Sequence, residues 1–261
     1  QWGGAMLLVT ESAPDHRRGW YGAYAQAGAA VGVILANLAF LSVSASMSDA
    51  AFMDWGWRLP FIASIVLIGI SLYVQLRMED TDAFKALQAA QADSGAPAEV
   101  PRSPVLEAIR RYPRRIMLAA GAFLSVQVTF YILIGFVLAY GSDPDGAAMR
   151  RETLLLAVLI GSAVQIAAQF VAAGYSDRHG RRGIFMLGAA LLGFWGFVLF
   201  PLIDTGSFWL TVTGITGGLV FVGMMYGPQA AFYTELFSTD VRYSGASLGY
   251  QLGAIIGGAF A

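Results

Sequence analysis

The apolar residues of this chain fall into blocks about as long as a bilayer is thick, and that spacing constrains the fold before anything else does. A helix needs roughly 20 mostly apolar residues to cross the hydrocarbon. Blocks of that kind run over 20–44, 58–77, 115–140, 152–174, 183–203, 208–234 and 243–261, after a shorter one at 1–10. In lipid, backbone amides must be satisfied within helices or a closed barrel. A barrel would show short alternating segments, and these blocks do not alternate. The expected class is an all-α membrane protein, a polytopic helical bundle whose partner is the lipid bilayer.

Composition agrees and removes other classes. Hydrophobic residues make up 57% of the chain and charged residues 13%, where a soluble domain carries about a quarter charged. A net charge of −1 argues against nucleic acid, which needs a basic excess. With no cysteine there is neither a disulfide framework nor thiol chemistry. His16 and His179 lie between blocks without ligand spacing, and no glycine-rich phosphate loop precedes a helix. The sequence therefore offers no catalytic residues, no metal site and no cofactor, and an integral-membrane enzyme is disfavoured. The chain opens on Gln1 inside one apolar run, stops at Ala261 inside another, and shows no charged, apolar, then small-residue leader. It reads as an internal piece of a longer protein, truncated at both ends.

The basic residues orient the bundle. If the loops alternate sides, one side receives Arg17, Arg18, Arg77, Lys85, Arg102, Arg110, Arg111, Arg114, Arg115, Arg178, Arg181, Arg182 and Arg242. The other receives Arg58, Arg150 and Arg151. By the positive-inside rule, 11–18, 78–114, 176–182 and 235–242 are expected to be cytoplasmic. The loops at 45–57, 141–151 and 204–207 are expected outside. The polar stretch 78–114 cannot span a membrane. It divides the chain into 1–77, a cytoplasmic central loop at 78–114, and 115–261. Within it, "QADSGAPAEVPRS" reads as linker. Ser103 and Pro104 read as the cap and first position of a short amphipathic helix on the inner leaflet.

Each side of the divide carries one signature. "ESAPDHRRGWYGAYAQAGAAVG" starts at Glu11, and "ELFSTDVRYSGASLGYQLGAIIGG" starts at Glu235. Both place Arg seven positions after Glu, at Arg18 and Arg242. With one inserted residue, Gln26 matches Gln251, Gly28 matches Gly253, and Gly32 matches Gly257. Repeats about an axis along the membrane normal are one way transporters build two halves around a central site. The GxxxG spacings suit close helix packing.

A third motif, "SDRHGRR" at 176–182, sits between two apolar blocks. Gly180 permits a tight turn with positive φ. Asp177 can accept bonds from free amides at a helix start or pair with nearby arginines.

"DRHGRR" in such a turn resembles the signature loop of the major facilitator superfamily. The two repeat strings, with "WGGAMLLVT" ahead of the first, are similar to its metabolite:proton symporter branch, which carries 2-oxoglutarate, citrate, shikimate and proline/betaine. The resemblance implies two halves of six helices each, with this chain holding the end of helix four through most of helix eleven. It implies a rocker-switch cycle in which Asp177, Arg178, Gly180, Arg181 and Arg182 latch cytoplasmic helix ends while the carrier faces outward. Glu11 with Arg18, and Glu235 with Arg242, would be companion parts of that gate, or helix caps. Two positions depart from the family pattern. Ala173 stands where a glycine is usual, with Gly174 one later. Gln1 stands where many members have Glu, which bears on coupling.

Within the spans the polar candidates are neutral: Tyr24, Gln26, Asn37, Gln127, Tyr131, Gln165, Gln169, Tyr226, Gln229, Tyr233, Tyr250 and Gln251. A carboxamide facing lipid is costly, so these groups are expected to face the bundle, either binding substrate or bonding helix to helix. No acid lies deep in a span. The expected function is secondary active transport of a small polar metabolite, an organic acid or a zwitterion, across the cytoplasmic membrane, with protons as the coupling partner. A uniporter or a non-transporting membrane sensor remains the alternative.

Overall fold

A computed structural model of the chain describes residues 2–77, 103–238 and 241–260, without the side chains of Pro104 and Phe260. The readings that fall on Gln1, on 78–102 and on Ala261 lie outside the described residues. Among these, every regular element is helical. α1 (Trp2–Glu11) and a 3-10 turn (Asp15–Arg17) precede α2 (Arg18–Ser46). α3 (Asp49–Asp54) and a second 3-10 turn (Gly56–Arg58) lead into α4 (Leu59–Arg77). α5 (Pro104–Arg111) is followed by α6 (Pro113–Tyr131), which continues through a π turn (Ile132–Phe136) into α7 (Val137–Gly141). Then come α8 (Arg151–His179), α9 (Arg181–Asp204), α10 (Phe208–Glu235) and α11 (Arg242–Phe260).

Among the described residues, six stretches are long and apolar enough to cross a membrane: Asp15–Ser46, Gly56–Arg77, Pro113–Gly141, Arg151–His179, Arg181–Asp204 and Phe208–Glu235. The block at 243–261 was expected as another. Its helix has the length, but Arg242, Ser244, Ser247, Tyr250 and Gln251 dilute its apolarity, and it is not among the six. α4 shows how far the surface suits lipid. It buries none of its residues, and Leu76 is 77% exposed. An apolar face of that extent is stable against hydrocarbon rather than water.

The block expected to end at 174 continues as helix to His179, so Ser176–His179 forms the last turn of α8. Gly180 alone, at φ +90° and ψ 157°, separates it from α9. Arg178 and His179 favour this extension, because cations complement the C-terminal end of a helix dipole. The seven-residue gap is thus a one-residue hinge between two helices. The loop at 45–57 likewise holds α3, whose Ala51 amide donates to the Ser48 hydroxyl. At 104–111 the helix forms as expected, but the Ser103 side chain makes no cap bond. Its carbonyl accepts from the Leu106 and Glu107 amides instead. Nor does that helix only lie on a leaflet: Ala108 is fully buried, and α5 packs against α11.

α10 is the hub of the packing, lying against α8, α9 and α2, while α6 pairs with α11. Close backbone approach sets the α8–α10 contact: a Cβ at Gly227 would lie 2.3 Å from the Gln169 carbonyl oxygen. The repeat glycines divide. A Cβ at Gly253 would meet the Ala120 carbonyl oxygen at 2.6 Å, and one at Gly257 would meet the Gln127 side chain at 3.0 Å. Gly28 and Gly32 have open space beside them. The packing expectation holds for the second copy, because α6 lies along that face of α11 and no described helix lies along the matching face of α2.

We predict that Gly227→Ala in the full-length protein lowers stability by about 1–3 kcal/mol, the usual cost of overpacking, although alanine is the better helix former. Thermal unfolding in detergent measures this, and an unchanged midpoint would show that α8 and α10 can separate freely.

Candidate functional site

α2 begins at Arg18, and the residue in its N-cap position, Arg17, supplies no capping side chain. The first amides of a helix have no partner within it. Here the acceptor comes from another helix. Asp177, in the last turn of α8, takes the Gly19 amide on Oδ1 and the Trp20 amide on Oδ2, both at 2.8 Å. Its carboxylate sits where a local cap would sit and also complements the positive end of the α2 dipole. Ala173, where the family pattern has glycine, is fully buried one turn earlier. Its carbonyl oxygen would lie 3.0 Å from a Cβ at Gly19.

Arg181, first residue of α9, ties this cap to a third element. Its guanidinium donates to Asp177, to the Ser176 hydroxyl at 2.9 Å, and to Glu235 Oε1 at 3.1 Å. The Arg181 and Asp177 side chains are only 11% and 5% exposed, so solvent screens them weakly and the charge-assisted bonds are the strong kind. A second link joins α1 to α11: Arg242 donates to Glu11 Oε1 at 3.2 Å and to the Phe237 carbonyl at 3.4 Å. Arg115 adds a bond of 2.6 Å to the Leu236 carbonyl. The sequence set Glu11 beside Arg18 and Glu235 beside Arg242. The structure crosses them: Glu235 pairs with Arg181, Glu11 with Arg242, and Arg18 with Asp15 at 2.9 Å. The reason is geometric. In each copy the Glu ends one helix and the Arg starts the next, so Glu11, Glu235 and Arg242 reach a neighbouring helix, while Arg18 pairs within its own turn. Arg178 and Arg182 are exposed.

Above this basic end lies a polar and aromatic cluster. Trp2 donates from its indole nitrogen to Gln26 Oε1 at 2.9 Å, and Gln26 donates to the Tyr226 carbonyl at 3.1 Å. Trp2 stacks on Tyr250 with ring centroids 3.9 Å apart, and Tyr250 stacks on Phe123 at 4.0 Å. The expected match of Gln26 with Gln251 is corrected here. Helices α2 and α11 start at the two repeat arginines, so the residue eight positions on from Arg242 is Tyr250, as Gln26 is from Arg18. One inserted residue turns a helix by about 100°, and Gln251 is exposed while Gln26 is buried. Trp2 had no signal in the sequence beyond its place in the "WGGA" string.

A cavity of about 170 Å³ adjoins the cluster, lined by Ala29 of α2 and by Gln127, Phe130, Tyr226 and Tyr250. A larger cleft of about 510 Å³ opens at the far end, between Asn37, Asp49 and Trp57 on one side and Leu138, Arg151 and Glu152 on the other. The sequence candidates therefore separate into groups. Gln127, Tyr226 and Tyr250 line the cavity, and Gln26 braces it. Gln165, Gln169 and Gln229 are fully buried on α8 and α10 outside the cavity lining. Gln165 Oε1 and both polar atoms of Gln169 and Gln229 have no hydrogen-bond partner among the described residues. Tyr233 donates to the Ala119 carbonyl. Tyr24 and Tyr131 are exposed, with Tyr24 packing edge-on to Phe170.

We predict that Arg242→Glu destabilises the full-length protein by about 1–3 kcal/mol, because it places a second carboxylate beside Glu11. The exchange Glu11→Arg with Arg242→Glu should recover at least half the loss, short of all of it because the bond to the Phe237 carbonyl is not restored. Thermal unfolding of the three variants reads both effects, and no recovery in the exchange would mean that the pair contributes little.

The sequence model of the Major Facilitator Superfamily matches residues 1–261. An inner membrane metabolite transport protein of Escherichia coli, YhjE, is 33% identical over 100% of this chain and 58% of its own length. The shikimate transporter of the same species is 33% identical over 100% of this chain and 58% of its own. Its proline/betaine transporter is 28% identical over 98% and 51%. The chain thus spans between half and three-fifths of the length of these relatives. With the helical membrane bundle, the interhelical cap on "DRHGRR" and a match over its whole length, the chain belongs to the major facilitator superfamily.

Proposed function

We propose that the full-length protein is a secondary active transporter of the cytoplasmic membrane, moving a small carboxylate-bearing metabolite by alternating access with proton symport. Residues 1–77 belong to one half, 78–114 to a cytoplasmic central loop and 115–261 to the second half, with the basic end facing the cytoplasm. The observation that carries this reading is the asymmetry of the α2–α8 seam. At the basic end Asp177 and Glu11–Arg242 join the helices of the two halves. At the far end a cleft of about 510 Å³ parts them. A cavity lined from both halves lies between. This arrangement supports a reading as a carrier closed at its basic end and open at the other.

The gate then works by exchange of acceptors. While Asp177 caps α2, the two amides and Arg181 are satisfied and the inner end is shut. Rocking withdraws the carboxylate and hands the α2 amides to water. Charge-assisted bonds contribute about 1.5–3 kcal/mol each, so occupation of the cavity has to offset a loss of that order in each cycle. Arg178, Gly180 and Arg182 complete the hinge, and Arg18 and Glu235 its surroundings.

In the cavity, Gln127, Tyr226 and Tyr250 offer neutral donors suited to a carboxylate or hydroxyl, with Gln26 fixing the α2 wall. Gln165, Gln169 and Gln229 lie buried between helices, and Tyr24, Tyr131 and Gln251 are exposed and have no part in the cavity lining. A carboxylate fits two of the relatives, named for shikimate and for proline/betaine, and leaves both the organic-acid and the zwitterion choice. The cavity lining holds no acid, so the titrating group of the symport is sought elsewhere in the full-length protein.

Two measurements test the reading. With labelled shikimate and proline as first substrates, Asp177→Ala should lower uptake at least about tenfold at equal membrane expression, the equivalent of one charge-assisted bond. Tyr250→Phe should raise KM about threefold to tenfold, as for a lost neutral hydrogen bond of about 0.5–1.5 kcal/mol, with expression unchanged. Uptake at the wild-type rate in Asp177→Ala would reduce the cap to a structural contact. For orientation, His179→Cys in intact cells should resist impermeant thiol reagents, and Asp145→Cys should be labelled. The opposite pattern would invert the topology.

A further inference from the structure

A groove of about 690 Å³ runs along the seam between the start of α2 and the end of α8, with Asp177 in its lining and no lining residue shared with the smaller cavity. At its mouth stand His16, Arg17, Arg178 and His179; Trp20 and Phe170 line it further in. We propose that this groove holds the headgroup of an anionic phospholipid, with an acyl chain along its apolar wall.

The charge at the mouth is open to an anion. The carboxylates at this end are already engaged. Asp15 pairs with Arg18 at 2.9 Å, and Asp177 holds the α2 amides and Arg181. Arg17 and Arg178 are exposed and form no ion pair among the described residues. Two guanidinium groups with an imidazole on either side match a phosphodiester, which accepts bidentate bonds from planar arginine. The ring of His179 stacks on Tyr175 with centroids 4.3 Å apart, and its Nδ1 lies 3.2 Å from the Tyr175 carbonyl.

The wall below identifies a lipid rather than a free phosphate. Phe170 lies nine residues before His179, about 13 Å down the helix axis at 1.5 Å per residue. Trp20 packs against it at 5.1 Å between ring centroids, and Val171 beside it is 71% exposed. Cations, then an amphipathic aromatic, then apolar surface is the order in which a phospholipid presents its own groups, and Trp and Tyr favour the interface level. Basic residues at a membrane surface draw anionic headgroups. A soluble phosphate would use the mouth and leave the wall without purpose. An anion seated here spans the seam that Asp177 joins, binding Arg17 ahead of α2 and Arg178 on α8 together. It therefore favours the joined state of the basic end. The assignment rests on the membrane fold and does not require the transport reading.

The test uses the purified full-length protein in neutral detergent, incubated with phosphatidylglycerol or phosphatidylcholine, with retained lipid read by native mass spectrometry. Neither transport nor orientation enters that readout. Phosphatidylglycerol should be retained at least about tenfold more strongly than phosphatidylcholine, as expected for two or more basic contacts. Arg17→Gln with Arg178→Gln should abolish most of that preference. Arg58→Gln with Arg150→Gln, at the far end, should keep it, and excess inorganic phosphate should leave the lipid bound. Equal retention of the two lipids by the wild-type protein, which needs no variant to fold, would overturn the proposal. So would an undiminished preference in the Arg17 and Arg178 variant, and displacement by inorganic phosphate would assign the groove to a soluble anion.

Discussion

The cap that Asp177 places on α2 is the interaction on which the rest of this arrangement depends. A helix end needs acceptors for its first amides, and most helices find them in their own sequence. α2 does not, because Arg17 stands in its N-cap position. The acceptor comes from α8, more than 150 residues along the chain. A local requirement of the backbone has thereby become a contact between two parts of the bundle. Its satisfaction depends on how those parts are placed. Arg181 holds the carboxylate in position and passes the connection to Glu235 at the end of α10.

Behind the cap the helices α8, α9 and α10 are closely packed. α10 and α8 approach so closely at Gly227 and Gln169 that no side chain fits between them. Trp195 of α9 donates to the Gly214 carbonyl of α10 at 2.7 Å. These helices are tied by backbone contact, so displacement of the α8 end carries α9 and α10 with it. On the α2 and α4 side, α4 buries none of its residues among the described ones, and a Cβ at Gly28 or Gly32 would meet no described atom within 4 Å.

The interior chemistry is neutral and directional. Trp2, Gln26, Tyr226 and Tyr250 form one connected set across α1, α2, α10 and α11. Its polar atoms border the small cavity, while charge is confined to the two ends. The buried carboxamides of Gln165, Gln169 and Gln229 lie outside that lining.

The sequence by itself determined the class, most of the spans and the glycine on which the turn at 180 depends. Block length and hydropathy are set by the bilayer, so 20–44 and 208–234 could be placed within a few residues. Gly180 could be assigned its positive φ because few other residues adopt it. It also marked Asp177 as an acceptor for amides or arginines, without saying which amides. Only the tertiary structure decided the partners. Glu11 meets Arg242, and Glu235 meets Arg181, because ion pairs form between helix ends that are neighbours in space. Local spacing does not report that neighbourhood. The place of Gln251 was likewise out of reach: aligning the two repeats with a gap ignores the turn of about 100° that one residue adds to a helix. That rotation sends Gln251 outward and brings Tyr250, unremarkable in the alignment, against Trp2.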